Sequence, residues 1–176
     1  MHAAKLKGRL TLTIEAGERP RFRRVLEAII RNYQTPPEAL PAPVARAWYS
    51  TTGCQSARMT TEQTGEWIAQ LRLIRNSRLR LLQRCVREME SAGEGSSELR
   101  MSLEQAAVLM TSLNDHRLFL AAQHDIGEAE MTLPFFASAA SLAPARRKAL
   151  FEIGALALVI EILLSVIDPE AVSWLE

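Results

Sequence analysis

The side chains best suited to chemistry lie in one stretch, Ser112 to Leu120, which reads SLNDHRLFL. Asn114, Asp115, His116 and Arg117 offer an amide, a carboxylate, an imidazole and a guanidinium in succession. Converging on an open pocket, such groups could do acid–base work. On a helix they diverge, because neighbours point about 100° apart. Asp115 and His116 therefore cannot orient one another. Asn114 and Arg117 share the side that carries Met110, Leu113 and Ala121, while Asp115 turns toward Val108 and Phe119. A helix this apolar is expected to be mostly buried, so its polar groups need partners.

Two more arginines show the same conflict. Along Thr60 to Ala92, helical spacing gathers Trp67, Ile68, Leu71, Ile74, Leu81, Leu82, Cys85, Val86 and Met89 on one face. Arg75 and Arg78 project into that apolar sector. A guanidinium cannot shed its proton, so burial demands a partner. The default expectation is that their stems lie on apolar surface and their heads reach water. Glu161, in an apolar helix near the C-terminus, is the candidate partner for Arg117 or Arg78. Glu152, nine residues before it, falls on the opposite side of the same helix. The expected role of Arg75, Arg78, Asn114, Asp115, Arg117 and Glu161 is structural, fixing helix register rather than performing catalysis.

Arg72, Arg80, Arg84 and Arg87 fall on the other side of the long helix and form a candidate interaction face. They could meet phosphates, but Glu66, Glu88 and Glu90 dilute the stripe, and a solvated helix face is the commoner meaning of such a pattern. Charge is uneven: residues 1–100 carry 17 Lys and Arg against 10 Asp and Glu, residues 101–176 only 4 against 10. The net charge of +1 leaves no global field toward a partner.

Other chemistry lacks its spacing. His116 and His124 are eight apart, roughly 12 Å along a helix, too far for one zinc ion. The chain has no G-x-S-x-G elbow, no P-loop lysine after Gly93 and Gly95, and no dinucleotide fingerprint. Neither a catalytic residue, a metal site nor a cofactor is expected. Cys54 and Cys85 suggest two thiols in a reducing cytosol. The first ten residues have no apolar core, so no signal peptide is expected. Leu150 to Ile167 approaches the length of a membrane span, yet Glu152 and Glu161 interrupt it, and a buried helix is the expectation.

These side chains require a helical frame. Arg9 to Glu15 alternates apolar and polar residues as a half-buried strand does, and Glu98 to Met101 is the candidate to pair with it. Helical spacing covers Arg21 to Asn32. The Pro-rich stretch 35–43 reads as an extended connector, then a short apolar piece around Val44 to Tyr49 and a loop from Gly53 to Met59. Thr60 with Gln63, and Ser102 with Gln105, form capping boxes that open helices reaching about Ala92 and Ile126. A helical piece over Glu128 to Ala140 is broken at Pro134, and Pro144 opens a last helix to Ile167. The fold expected is one mainly α domain over 1–176, with four to five helices and a small two-stranded β element.

The stretch MSLEQAAVLM followed by SLNDHRLFLAAQHDIG resembles a bacterial family described only as a domain of unknown function, number two thousand and seventeen. Leu113, Asn114, Asp115, Arg117 and Leu118 match its Leu-Asn-Asp-Leu-Arg-Leu signature, with His116 in place of the fourth-position Leu. The resemblance is best over Thr60 to Ile126. It implies a cytoplasmic, non-enzymatic bacterial protein with a role linked to regulated proteolysis.

The expectation is thus a non-enzymatic interaction or regulatory module. Its partner would be a protein, with a homodimer through the last helix as one form. Nucleic acid is the less favoured partner, reached through the basic helix face, and no membrane is expected.

Overall fold

The computed structural model describes residues 1–132 and 142–168. Its architecture is mainly helical, with a three-stranded antiparallel sheet in the order β1-β2-β3. Strand β2 (Arg9–Ile14) pairs with β3 (Ser97–Ser102) as expected, placing Leu10 opposite Met101 and Leu12 opposite Leu99. Leu10, Leu12, Ile14, Leu99 and Met101 all point into the core.

The sequence reading missed β1 (His2–Leu6). Lys7 and Gly8, both at positive φ, form a two-residue hairpin that joins it to β2. β1 lies on the sheet edge with most of its side chains exposed, so it lacks the alternation that marks a half-buried strand.

Helix α1 (Arg19–Gln34) buries Phe22, Val25, Leu26, Ile29 and Tyr33. The Pro-rich connector holds one 3-10 turn, Pro37–Ala39, before α2 (Ala42–Trp48). A single helical turn, α3 (Thr52–Ser56), occupies the expected loop. The long α4 (Thr61–Ser91) opens with the Thr60–Gln63 capping box. Only the second half of its apolar face is buried, at Leu82, Cys85 and Met89; Trp67 and Ile74 are exposed.

Ser102 ends β3 and caps α5 (Leu103–His124) through its box with Gln105, so strand passes to helix without a loop. Asp125, in the left-handed conformation, ends α5 just before the Ile126 to which the helix was expected to reach. An aspartate tolerates that conformation better than most residues. Helix α6 (Glu128–Thr132) follows. The rest of the expected helical piece, including Pro134, lies outside the described residues.

The last helix, α7 (Pro144–Ile167), has Pro144 in its first turn. By length and composition it could cross a membrane. Here Ile153, Leu156, Val159 and Leu163 are buried, and α7 packs along α5 and against the sheet. α1 packs chiefly on α4. α1 and α7 therefore border one core with little direct packing between them.

Candidate functional site

Four helices deliver polar side chains to one point. Tyr33 stands in the last turn of α1, Trp48 closes α2, Arg75 and Arg78 are one turn apart on α4, and Asp115 comes from the middle of α5. The Asp115 Oδ2 accepts hydrogen bonds from the Tyr33 hydroxyl at 2.8 Å and from Arg78 Nη1 at 2.9 Å. Arg75 Nε lies 3.6 Å from the same oxygen. Arg78 Nη1 also donates to the Tyr33 hydroxyl oxygen at 3.3 Å.

Arg75 is held through its Nη groups and by two rings, while its buried Nε makes no hydrogen bond among the described residues. Its Nη2 donates to the Trp48 carbonyl at 3.2 Å, and its guanidinium carbon stands 4.8 Å from the Trp48 ring centre and 5.0 Å from that of Tyr49. These distances allow cation–π attraction. The Trp48 indole N–H in turn donates to the Asp115 backbone carbonyl at 3.3 Å. Beneath, the Trp48 ring packs at a tilt against Tyr33 and edge to face with Phe119.

The expected outward reach of Arg75 and Arg78 is therefore overturned. Their side chains are 12% and 17% exposed and their heads turn to Asp115, itself 15% exposed. Two cations on one carboxylate offset the desolvation that burial imposes on all three. Burial pushes the Tyr33 phenol up to about 12, and the charge of Asp115 pushes the same way. The phenol stays protonated and acts as a donor.

The other expected members sit apart. Asn114 is exposed and accepts from Arg117 Nη1 at 3.2 Å. Glu161 is exposed and is not the partner of Arg78. Burial draws the Arg117 guanidinium down, and the charge of Glu161 opposes that effect through space. The six expected residues thus divide into an arginine-clamped aspartate and a separate surface group on α5 and α7.

A second polar contact escaped the sequence reading. His116 is 3% exposed, and its Nε2 lies 3.1 Å from Glu152 Oε1. That hydrogen bond is the main cause holding the Glu152 carboxyl below its ordinary range, against a burial that raises it. An ionised carboxylate there makes Nε2 the donor nitrogen. Among the described residues, the buried His116 Nδ1 has no hydrogen-bond partner. Leu109, Leu113 and His116 follow i, i+4, i+7 spacing, the signal that would have placed the imidazole inward.

The basic face is broken up. Arg72 is half-buried beside Tyr49 and Ile68, in a depression between α2, α3 and α4. Arg80, Arg84 and Arg87 line another depression along α5, with Glu104 among them. Arg84 Nε lies 3.4 Å from Glu88, and its Nη2 donates to the Arg100 carbonyl at 3.4 Å.

Chemically, the Asp115 cluster is a brace: one carboxylate oxygen faces three cationic or hydroxyl donors, and its members tie α1, α2, α4 and α5 together. Among the described residues, no three His, Cys, Asp or Glu side chains gather closely enough to hold a metal ion. No family model matches the chain, and no curated protein or solved structure does.

Proposed function

We propose that the chain is a non-enzymatic helical module that works by binding a protein partner, in a regulatory role. The observation that carries this reading is the first half of α4. Trp67, Leu73 and Ile74 are exposed there to 44%, 61% and 50%, on a helix whose second half sends Leu82, Cys85 and Met89 into the core. Trp67 and Ile74 are seven apart and lie on the same side. The Trp67 indole N–H donates to the Ser50 carbonyl at 3.4 Å, which fixes the ring on the surface. A held, accessible tryptophan beside aliphatic side chains is the composition of an interface hot spot. The braced Asp115 cluster behind it keeps α4 rigid, which lowers the entropy cost of docking.

The cytosol is the compartment this reading places it in. The resemblance noted at Leu113 to Leu118 adds regulated proteolysis as the process. A homodimer through α7 is the form to separate from a foreign partner.

The test is affinity capture on the whole chain beside Trp67→Asp and Ile74→Asp, with sedimentation of each protein alone at micromolar concentration. Loss of the captured partner in both variants, with an unchanged circular dichroism spectrum, supports the α4 face. Undiminished capture refutes it. A dimer that survives both changes moves the contact to α7. Nucleic acid is the weaker reading, since Glu88 and Glu104 interleave the arginines. It would gain only if Arg80→Glu with Arg87→Glu abolished retention on DNA.

A further inference from the structure

The space between α1 and α7 has two unlike ends. Toward the start of α7 it is a cavity of about 660 Å³ lined by Arg21, Arg24, Arg147 and Lys148, with Pro144 and Phe151. None of these four cations has a carboxylate within ion-pair distance among the described residues. Glu152, the carboxylate on this wall, gives its Oε1 to His116, while its charge also acts on Arg21 and Lys148. The start of α7 adds its own positive end. Ala143 supplies no side-chain cap, and the first turn holds no acidic residue.

Beyond Arg21, Val25 and Glu152, which both ends share, the cleft turns mostly apolar, with the Met1 ammonium and Glu18 at its edge. It continues for about 360 Å³ over Phe22, Ala155, Leu156, Leu158, Val159 and Ile162. Leu158 is 61% exposed there. Four cations lining one cavity that opens onto a mostly apolar trough complement an anionic head joined to an apolar chain.

We propose that this cleft binds a single-chain amphiphile with a phosphate head, the head among Arg21, Arg24, Arg147 and Lys148 and the chain along Phe22, Leu156 and Leu158. Guanidinium groups match phosphate oxygens in pairs, and several cations favour a dianionic phosphate over a carboxylate. At the edge of the trough the Met1 ammonium and Glu18 are paired with each other at 2.6 Å, so what the trough offers a ligand is chiefly apolar contact. The proposal stands apart from the α4 face, and its failure leaves that reading untouched.

Calorimetric titration with dodecyl phosphate below its micelle concentration, and with butyl phosphate, tests it. Dodecyl phosphate is expected to bind once per chain, about two hundredfold tighter than butyl phosphate if half of its extra methylenes are covered. Arg24→Glu with Arg147→Glu should weaken both ligands about tenfold or more. Leu158→Gln should weaken only the long one. Arg24 is exposed and Arg147 half-exposed, and the milder Arg24→Gln with Arg147→Gln guards against misfolding. Equal affinity for the two chain lengths, indifference to both arginine pairs, or binding to anionic vesicles but not to the monomeric amphiphile would overturn the proposal. So would a dimer in sedimentation that Leu158→Gln dissolves, because a second copy would then fill the trough.

Discussion

Asp115 is the residue on which the interior depends most. Two arginines and a phenol converge on it, and the arginines cannot discharge if it is removed. Breaking a buried pair leaves uncompensated charge, which costs more than the pair contributes when whole. Asp115→Asn is therefore expected to destabilise the fold by roughly 2–4 kcal/mol, the range for such pairs scaled down for partial exposure. Replacing Asp115, Arg75 and Arg78 together with Leu, Met and Met should recover most of that loss. Urea unfolding of both proteins checks this, and a triple variant weaker than Asp115→Asn would contradict the brace. Arg75, Arg78 and Asp115 stood out in the sequence, the arginines in an apolar sector and Asp115 on a buried helix, whereas Tyr33 and Trp48 carried no such signal. The pairing was not legible, because rotation about helix axes does not fix which helix faces which. Glu161 was the partner expected for Arg78, and only the placing of α4 beside α5 put Asp115 there instead.

Helix boundaries are a different matter, since they follow from side chains within four residues of one another. Both capping boxes form as the spacing requires, Thr60 accepting from the Gln63 amide and Ser102 from the Gln105 amide, each at 3.2 Å. Thr60→Ala should cost about 1 kcal/mol. The loss belongs to α4, whose exposed first half has few tertiary contacts to compensate, so amide exchange should rise there first. Uniform exchange along α4 in the variant would show that the cap does not anchor this half. The elements the sequence concealed are those that local pattern serves poorly. β1 shows no alternation because both of its faces are largely solvated, and α3 is too short for a period. Asp125 ends α5 in place of a glycine because its backbone alone supplies the left-handed turn.

At the scale of the molecule, two packed pairs, α1 with α4 and α5 with α7, are joined by the sheet and by the contacts at Asp115. His116–Glu152 crosses the second pair. Its carboxyl is more acidic folded than unfolded, so its contribution is present above the ordinary value of 4.5 and is lost as pH falls through the lowered folded value. Glu152→Gln should destabilise the protein by about 1 kcal/mol at neutral pH, a charged hydrogen bond reduced for partial exposure. The deficit should shrink toward zero in acid. Thermal unfolding across a pH series checks this, and a deficit constant with pH would assign the effect to packing.

Residue order was enough for the helical class, the pairing of β2 with β3, the capped starts of α4 and α5, and the conflict of Arg75, Arg78 and Asp115 with their apolar faces. Each of these rests on periodicity or on short-range hydrogen bonding, which the order of residues encodes directly. Only the tertiary structure decided that Arg75 and Arg78 meet Asp115, that His116 meets Glu152, and that α1 and α7 leave a cleft between a basic mouth and an apolar trough. Those outcomes depend on how rigid elements pack across long separations in the chain. Many arrangements satisfy the same local pattern, and side-chain volume and charge select among them only once the elements touch.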